Sequence, residues 1–483
     1  MYSLAKRLIT EKDIRRKVEL LEKLVNHPQL TAKQLAEQIQ TTQRTVFNDI
    51  QGLRMELPEG WSLEADGNNG LSLSSTEHAT TNEVWESFMK DSVSIQIVRA
   101  LLSSKNVAVQ NFLFEQGISF ETLKRHISKL NKELKDFQLK IKVSSAAFQW
   151  LGEESSIRIF YHRLLLPFTH DNFFFDEYPI HQANYASFLR RLDRTMLKVD
   201  TEEIFGTCWF FINTIRIKTG CLIEKMPFKE EDVLFQLFHE ELKTLYFSEG
   251  IQLTPTESFF TFFSFMESWN YSVPPTDELR ALLTQNYDVL FSTCQEFIQR
   301  LSAKLNQPAL NTAYLLDNLV LFLLKYYESR RLSDKFLMEY QELFPFSRKR
   351  FPELYQLIYD EIAYYDLAYL PRSNYVVNTV TLLVQEARYL VQPQQVTAYF
   401  LFQGEPAWKN FLFRELQDLT GNRVHLKAIN SDELDKSQLA ANDLILSNYP
   451  LTGKYEQTIV YISSIPTQNE LQEIRELVQH FYF

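Results

Sequence analysis

Apolar residues recur three and four positions apart along most of this 483-residue chain, and the rhythm gives way to alternation in only a few places. IRRKVELLEKLVNHPQL sets Val18, Leu21, Leu24 and Val25 at helical spacing and stops at His27-Pro28. TAKQLAEQI predicts a second helix, capped by Thr31, with Leu35, Ala36 and Ile39 turned inward. In QTTQRTVFNDIQGLRMEL, Thr42 can cap a third, whose inner face is Val46, Ile50, Leu53 and Leu57. WSLEA and LSLSS then alternate around the turn-rich DGNNG, the pattern of a two-stranded wing. The layout returns further on. SVSIQIVRALL, VAVQNFLFEQG and ISFETLKRHISKLNKELKDF predict three more helices, and LKIKVSSAAFQWLGE two more strands. Ser119 caps the last of these helices, with Phe120, Leu123, Ile127, Leu130 and Leu134 facing inward.

The polar positions left over in each third helix carry the functional signal. In the first they are Gln43, Arg44, Thr45 and Asn48; in the second, Thr122, Lys124, Arg125, Ser128, Lys129 and Lys132. Arg pairs with guanine and Asn with adenine edges in a major groove, while Lys, Thr, Ser and Gln suit phosphates or bases. A helix-turn-helix with a wing, present twice, points to duplex DNA rather than to an ordinary three-helix packing unit with a solvated face.

Downstream, residues 166–392 read as helical bundles rich in aromatics, with Pro274-Pro275 the best internal boundary. After residue 392 the pattern changes. QVTAYFLF, RVHLKAI, NDLILSN and TIVYISS read as strands, PAWKNFLFRELQDLTG as a helix, and Thr467 with Glu470 as a capping box before a last helix. A small open α/β sheet is expected there.

Charge sharpens this picture. The net charge is -11, yet residues 1–165 hold 22 Lys and Arg against 20 Asp and Glu, and Glu121 to Lys142 holds seven basic against three acidic. Phosphate attraction depends on that local surface. Three scattered cysteines offer neither a disulfide framework nor a zinc site, so no metal and no cofactor is expected. The start, MYSLAKRLITEKD, lacks a signal-like apolar stretch, and the longest aliphatic and aromatic run, Leu319 to Leu324, is far short of the ~18 residues of a membrane span. A cytoplasmic protein, without membrane contact, is the expectation.

The paired winged helices, ISFETLKRHISKLNKELKDFQLKI and LGEESSIRIFYHRLL resemble the Mga and AtxA family of virulence regulators from Gram-positive bacteria. The resemblance implies a mainly α, multidomain chain: winged helix-turn-helix domains at 1–76 and 77–165, PRD-like helical bundles at 166–284 and 285–392, and an EIIB-like α/β domain at 393–483. It implies a transcriptional activator acting as a homodimer or higher homo-oligomer, with phosphocarrier proteins of the sugar phosphotransferase system (PTS) as further partners. His170, His181 and His239 are the candidates for phosphorylation, since no histidine lies between His239 and His425. An EIIB carrier needs a cysteine after its first strand; FQGEPAW has none, so no enzyme is expected. Two alternatives remain, an RNA-binding antiterminator with similar bundles, and a component of the sugar phosphotransferase system.

Overall fold

The computed structural model describes residues 3–26, 30–65, 70–76, 81–165, 173–175, 182–226, 232–270, 275–330, 344–365, 374–391, 396–421, 424–434, 439–440, 443–451 and 453–482. They form two compact units, one from the residues up to Cys294 with the stretch beginning at Asp317, the other from Gln295–Leu316 and from 344 onward.

The first unit opens with α1 (Ser3–Leu8), α2 (Lys12–Asn26), α3 (Ala32–Gln38) and α4 (Gln43–Glu56), followed by β1 (Trp61–Ala65) and β2 (Leu71–Ser75). The strands pair antiparallel, Trp61 opposite Ser75 and Ala65 opposite Leu71. Thr31 and Thr42 cap α3 and α4 through their hydroxyls, as expected. Val25 departs from expectation: it is exposed, and Leu20 is buried beside Val18, Leu21 and Leu24. The reason is that α2 packs on α4 and β2 and also on α5 (Thr81–Lys90), which turns a further face inward. Helix α5 has no counterpart in the sequence reading.

Next come α6 (Val93–Leu102), β3 (Val107–Ala108), α7 (Val109–Gln116), α8 (Phe120–Glu133), β4 (Lys140–Val143) and β5 (Ala147–Leu151). The sheet expected here with two strands has three, in the order β3-β5-β4, and β3 is too short to leave an alternation. Gly117 ends α7 at φ 60, a left-handed conformation that glycine adopts without strain.

Helices α9 (Glu154–Leu165), α10 (Gln182–Leu192), α11 (Glu203–Lys218), α12 (Val233–Phe247), α13 (Pro255–Glu267) and α14 (Asp277–Asn286) follow in the first unit. Phenylalanines fill their core, Phe238 meeting Phe265 and Trp269 at 5.5 and 5.4 Å between ring centres. Within it lies a buried ionic network. Arg158 forks onto Glu257 at 2.7 and 2.8 Å and donates to the Cys221 carbonyl at 2.9 Å. Arg216 forks onto Glu154 at 2.8 and 2.7 Å and donates to the Leu101 carbonyl at 2.6 Å.

The chain continues through α15 (Asp288–Lys304), α16 (Ala313–Arg330), α17 (Phe344–Arg350), α18 (Pro352–Tyr364) and α19 (Asn374–Val391). In the second unit α17, α18 and α19 pack together, and buried Glu361 accepts from Arg300 at 3.1 Å and from Lys304. The last segment adds β6 (Val396–Leu401), α20 (Pro406–Thr420), β7 (Val424–Ala428), α21 (Ser431–Leu434), β8 (Leu444–Ser447), β9 (Thr458–Tyr461) and α22 (Gln468–Tyr482). Its four strands are all parallel in the order β7-β6-β8-β9, the small α/β sheet expected. Phe400, Leu412, Leu446 and Ile474 form its larger core, and the Thr467–Glu470 capping box is in place. No helix among the described residues is long and apolar enough to cross a membrane.

Removing one partner of a buried fork strands the other charge. Glu257→Ala is therefore expected to destabilise the first unit by about 3–5 kcal/mol, and Arg158→Met with Glu257→Leu by clearly less. Denaturant unfolding of both variants checks this; equal losses would contradict it.

Candidate nucleic-acid interface

The outward faces of the two third helices, α4 and α8, are set by what holds their other sides. On α4, Asp49 is buried and receives a fork from Arg16 of α2, Nη2 to Oδ1 at 2.8 Å. That hydrogen bond raises the Arg16 pKa. Lys17 bonds Glu56 at 2.6 Å. Arg54 Nε donates to the Leu63 carbonyl at 2.9 Å and so ties α4 to β1. Helix α8 has a counterpart: the Asn131 amide donates to the Ile141 carbonyl at 3.0 Å and accepts from its N–H at 2.6 Å.

With those faces fixed, Gln43, Arg44 and Asn48 are exposed on α4, and Lys124, Arg125, Ser128 and Lys132 on α8. Thr45 and Thr122 are half-buried and share hydroxyl contacts with the caps Thr42 and Ser119, at 2.9 and 3.0 Å. Lys124 lies over the Phe120 ring and pairs with Glu121 at 3.2 Å. Lys129 points elsewhere, donating to the Thr10 carbonyl at 3.1 Å. Phe47 was not singled out from sequence, yet it is 55% exposed on α4 between Arg44 and Asn48. An aromatic beside Arg44 and Asn48 on the face expected to meet DNA is the signal that could have found it, because such a ring can meet a thymine methyl.

The two modules are joined at the segment between α1 and α2. Helix α1 packs on α8 and α9, and Arg7 reaches Asp136 at 3.6 Å. Glu11 accepts from Ser92 Oγ at 2.9 Å and Ser94 N at 3.2 Å, at the start of α6. His126 of α8 is buried here, its Nδ1 2.7 Å from Thr10 Oγ1 and 3.2 Å from Ser94 Oγ.

Of the three candidate phosphoacceptors, His239 lies among the described residues. His170 and His181 lie outside the described residues. His239 sits on α12, its ring 4.8 Å from that of Phe235 and Nε2 3.8 Å from Glu240. His162 stacks on Trp209 at 4.0 Å inside the core. Among the described residues no group of His, Cys, Asp or Glu could hold a metal ion.

Three family descriptions match the chain: "M protein trans-acting positive regulator (MGA) HTH domain" over residues 11–67, "Mga helix-turn-helix domain" over 77–165, and "Non-canonical single-stranded DNA-binding domain" over 286–390. The chain is similar to the "Anthrax toxin expression trans-acting positive regulator" of Bacillus anthracis, 21% identical across 93% of this chain and 94% of that protein. It is also similar to the "Capsule synthesis positive regulator AcpB" of the same organism, 22% identical across 33% of each.

Burial lowers the His126 pKa; Glu11, 3.7 Å away, opposes this, while Lys129 and Arg125 add to it. The unfolded imidazole titrates at about 6.5, so below that pH the unfolded state takes up the proton more readily and the junction loses stability. The stability margin of the wild type over His126→Gln should accordingly shrink between pH 7.5 and 5.5 in thermal unfolding. A margin independent of pH would contradict this.

Proposed function

We propose, from the premise that the chain belongs to the Mga/AtxA-like family of virulence regulators, that it is a DNA-binding transcriptional activator holding duplex DNA with two winged helix-turn-helix modules. The observation that carries this reading is the doubled arrangement on α4 and α8: a capped helix with polar residues exposed, tied to its wing by a side-chain bond to a strand carbonyl. Arg44, Asn48 and Phe47 then read base edges, with Gln43 and Thr45 beside them, and Lys124, Arg125 and Lys132 meet phosphates alongside Thr122 and Ser128. Activation, rather than repression, is supported by the positive-regulator names of the relatives.

The division at 76, 165, 284 and 392, the PRD-like and EIIB-like assignments, a homodimer, a cytoplasmic location, and control by phosphocarrier proteins through His239 belong to the same proposal. We read the last domain as non-catalytic. After β6, where an EIIB carrier would place its cysteine, Glu405 accepts from Trp408 N at 2.8 Å. Asn448, just after β8, bonds the N–H and the carbonyl of Gln403, both at 2.8 Å, tying the two loops together.

A second reading concerns 286–390. The Arg300 guanidinium lies 3.8 Å over the Tyr364 ring, which is 64% exposed. A ring backed by a cation can stack an unpaired base on its outer face. If this surface binds single strands, Tyr364→Ala weakens binding of an oligothymidine and leaves duplex binding unchanged, as fluorescence anisotropy would show; equal retention of both removes the surface.

Arg44→Ala and Asn48→Ala are each expected to cost about 1–3 kcal/mol of duplex affinity without loss of folding. Lys124→Ala and Arg125→Ala should lower the salt slope by about 0.9 per lost phosphate contact. Lys129→Ala should leave the slope unchanged, because its ammonium is engaged by Thr10. Filter binding across a salt series decides between these outcomes, and unaltered affinity in all four of the Arg44, Asn48, Lys124 and Arg125 variants would sink the reading.

A further inference from the structure

Helix α12 sets Gln236, His239 and Lys243 in one stripe, three and four residues apart, and ends at Phe247, which is 76% exposed. The stripe borders a cavity of about 760 Å³ whose other wall is the segment Ile251–Pro255 leading into α13. That volume lies within the range of small-molecule sites, roughly 300–1,000 Å³. The lining is divided: Phe235, Phe247 and Leu253 are apolar, while His239, Lys243 and Gln252 present polar groups. Among the described residues its lining includes no Asp or Glu.

The acidic neighbours of His239 are already engaged. Glu241 accepts from Arg191 at 3.2 Å, and Glu240, 79% exposed, accepts from Lys243 at 3.0 Å. An exposed pair of that kind contributes little, so the Lys243 ammonium can exchange it for another anion at small cost. An uncharged ligand would leave the cation unused, and a bare anion would leave the aromatic wall unfilled.

We propose that this cavity binds a small monoanionic amphiphile, with its chain against Phe235, Phe247 and Leu253 and its carboxylate beside Lys243 and His239. Calorimetric titration of the full chain with decanoate, below its micellar concentration, tests this without DNA, so that failure here leaves the DNA-reading proposal untouched. Decanoate should bind once per chain. Decanol, lacking the charge, and acetate, lacking the chain, should each bind about tenfold more weakly or not at all. Lys243→Gln alters a side chain 45% exposed, which leaves folding intact, and should weaken decanoate about tenfold. Leu253→Trp, checked for retained circular dichroism, should abolish binding by filling the cavity. Absence of decanoate binding, equal binding of decanol, or unchanged affinity in Lys243→Gln would each overturn the proposal, as would binding to anionic vesicles in place of free decanoate.

Discussion

Two guanidinium groups with almost no exposed surface, Arg158 and Arg216, share the carboxylate of Glu154, and much of the first unit is arranged to neutralise them. Taking such charges out of water costs several kcal/mol each unless geometry and hydrogen bonds compensate. One carboxylate does not suffice. Arg158 recruits Glu257 from α13, Asn213 from α11 and the Cys221 carbonyl; Arg216 recruits the carbonyls of Leu101 and Leu102. Those last two lie at the carboxy-terminal end of α6, where peptide dipoles present negative ends and a cation is favoured. Helix α6 is thereby joined to α9, α11 and α13 through buried charge.

The first module is joined to the second by different means. Thr10 and Glu11 lie against the start of α6 and the buried side of α8, where Lys129 and His126 receive them. Helix α1 precedes α2 in sequence but packs with α8 and α9. Helices α4 and α8 consequently have a common support, which suits the proposed reading of two segments of one duplex at a set spacing. The cavity beside α12 is close to the same framework, because Pro255 on its wall starts the helix that carries Glu257.

What the sequence made legible was local. Thr31, Thr42 and Ser119 act as caps because that chemistry involves only the next three residues, and the first wing follows from alternation around a turn. The α/β segment after residue 392 was readable for the same reason. The rest depended on partners far apart in the chain. Lys129 looked like any solvated lysine until the Thr10 carbonyl, 119 residues away, accepted its hydrogen bond. His126 carried no pattern that distinguished it, and the Arg158–Glu257 fork joins residues 99 apart. Phe47 counted as one more aromatic until the packing of α4 left it outside. The cavity at α12 arises where two segments meet, which periodicity along one of them does not encode.

Amide hydrogen exchange of the full chain, with and without a duplex from its own regulated region, tests the central claim most directly. The account predicts slowed exchange on DNA addition in residues 43–48, in 120–132 and in the two wings, with little change in α12 or the last sheet. Protection confined to residues beyond 165, with α4 and α8 unaffected, would contradict it.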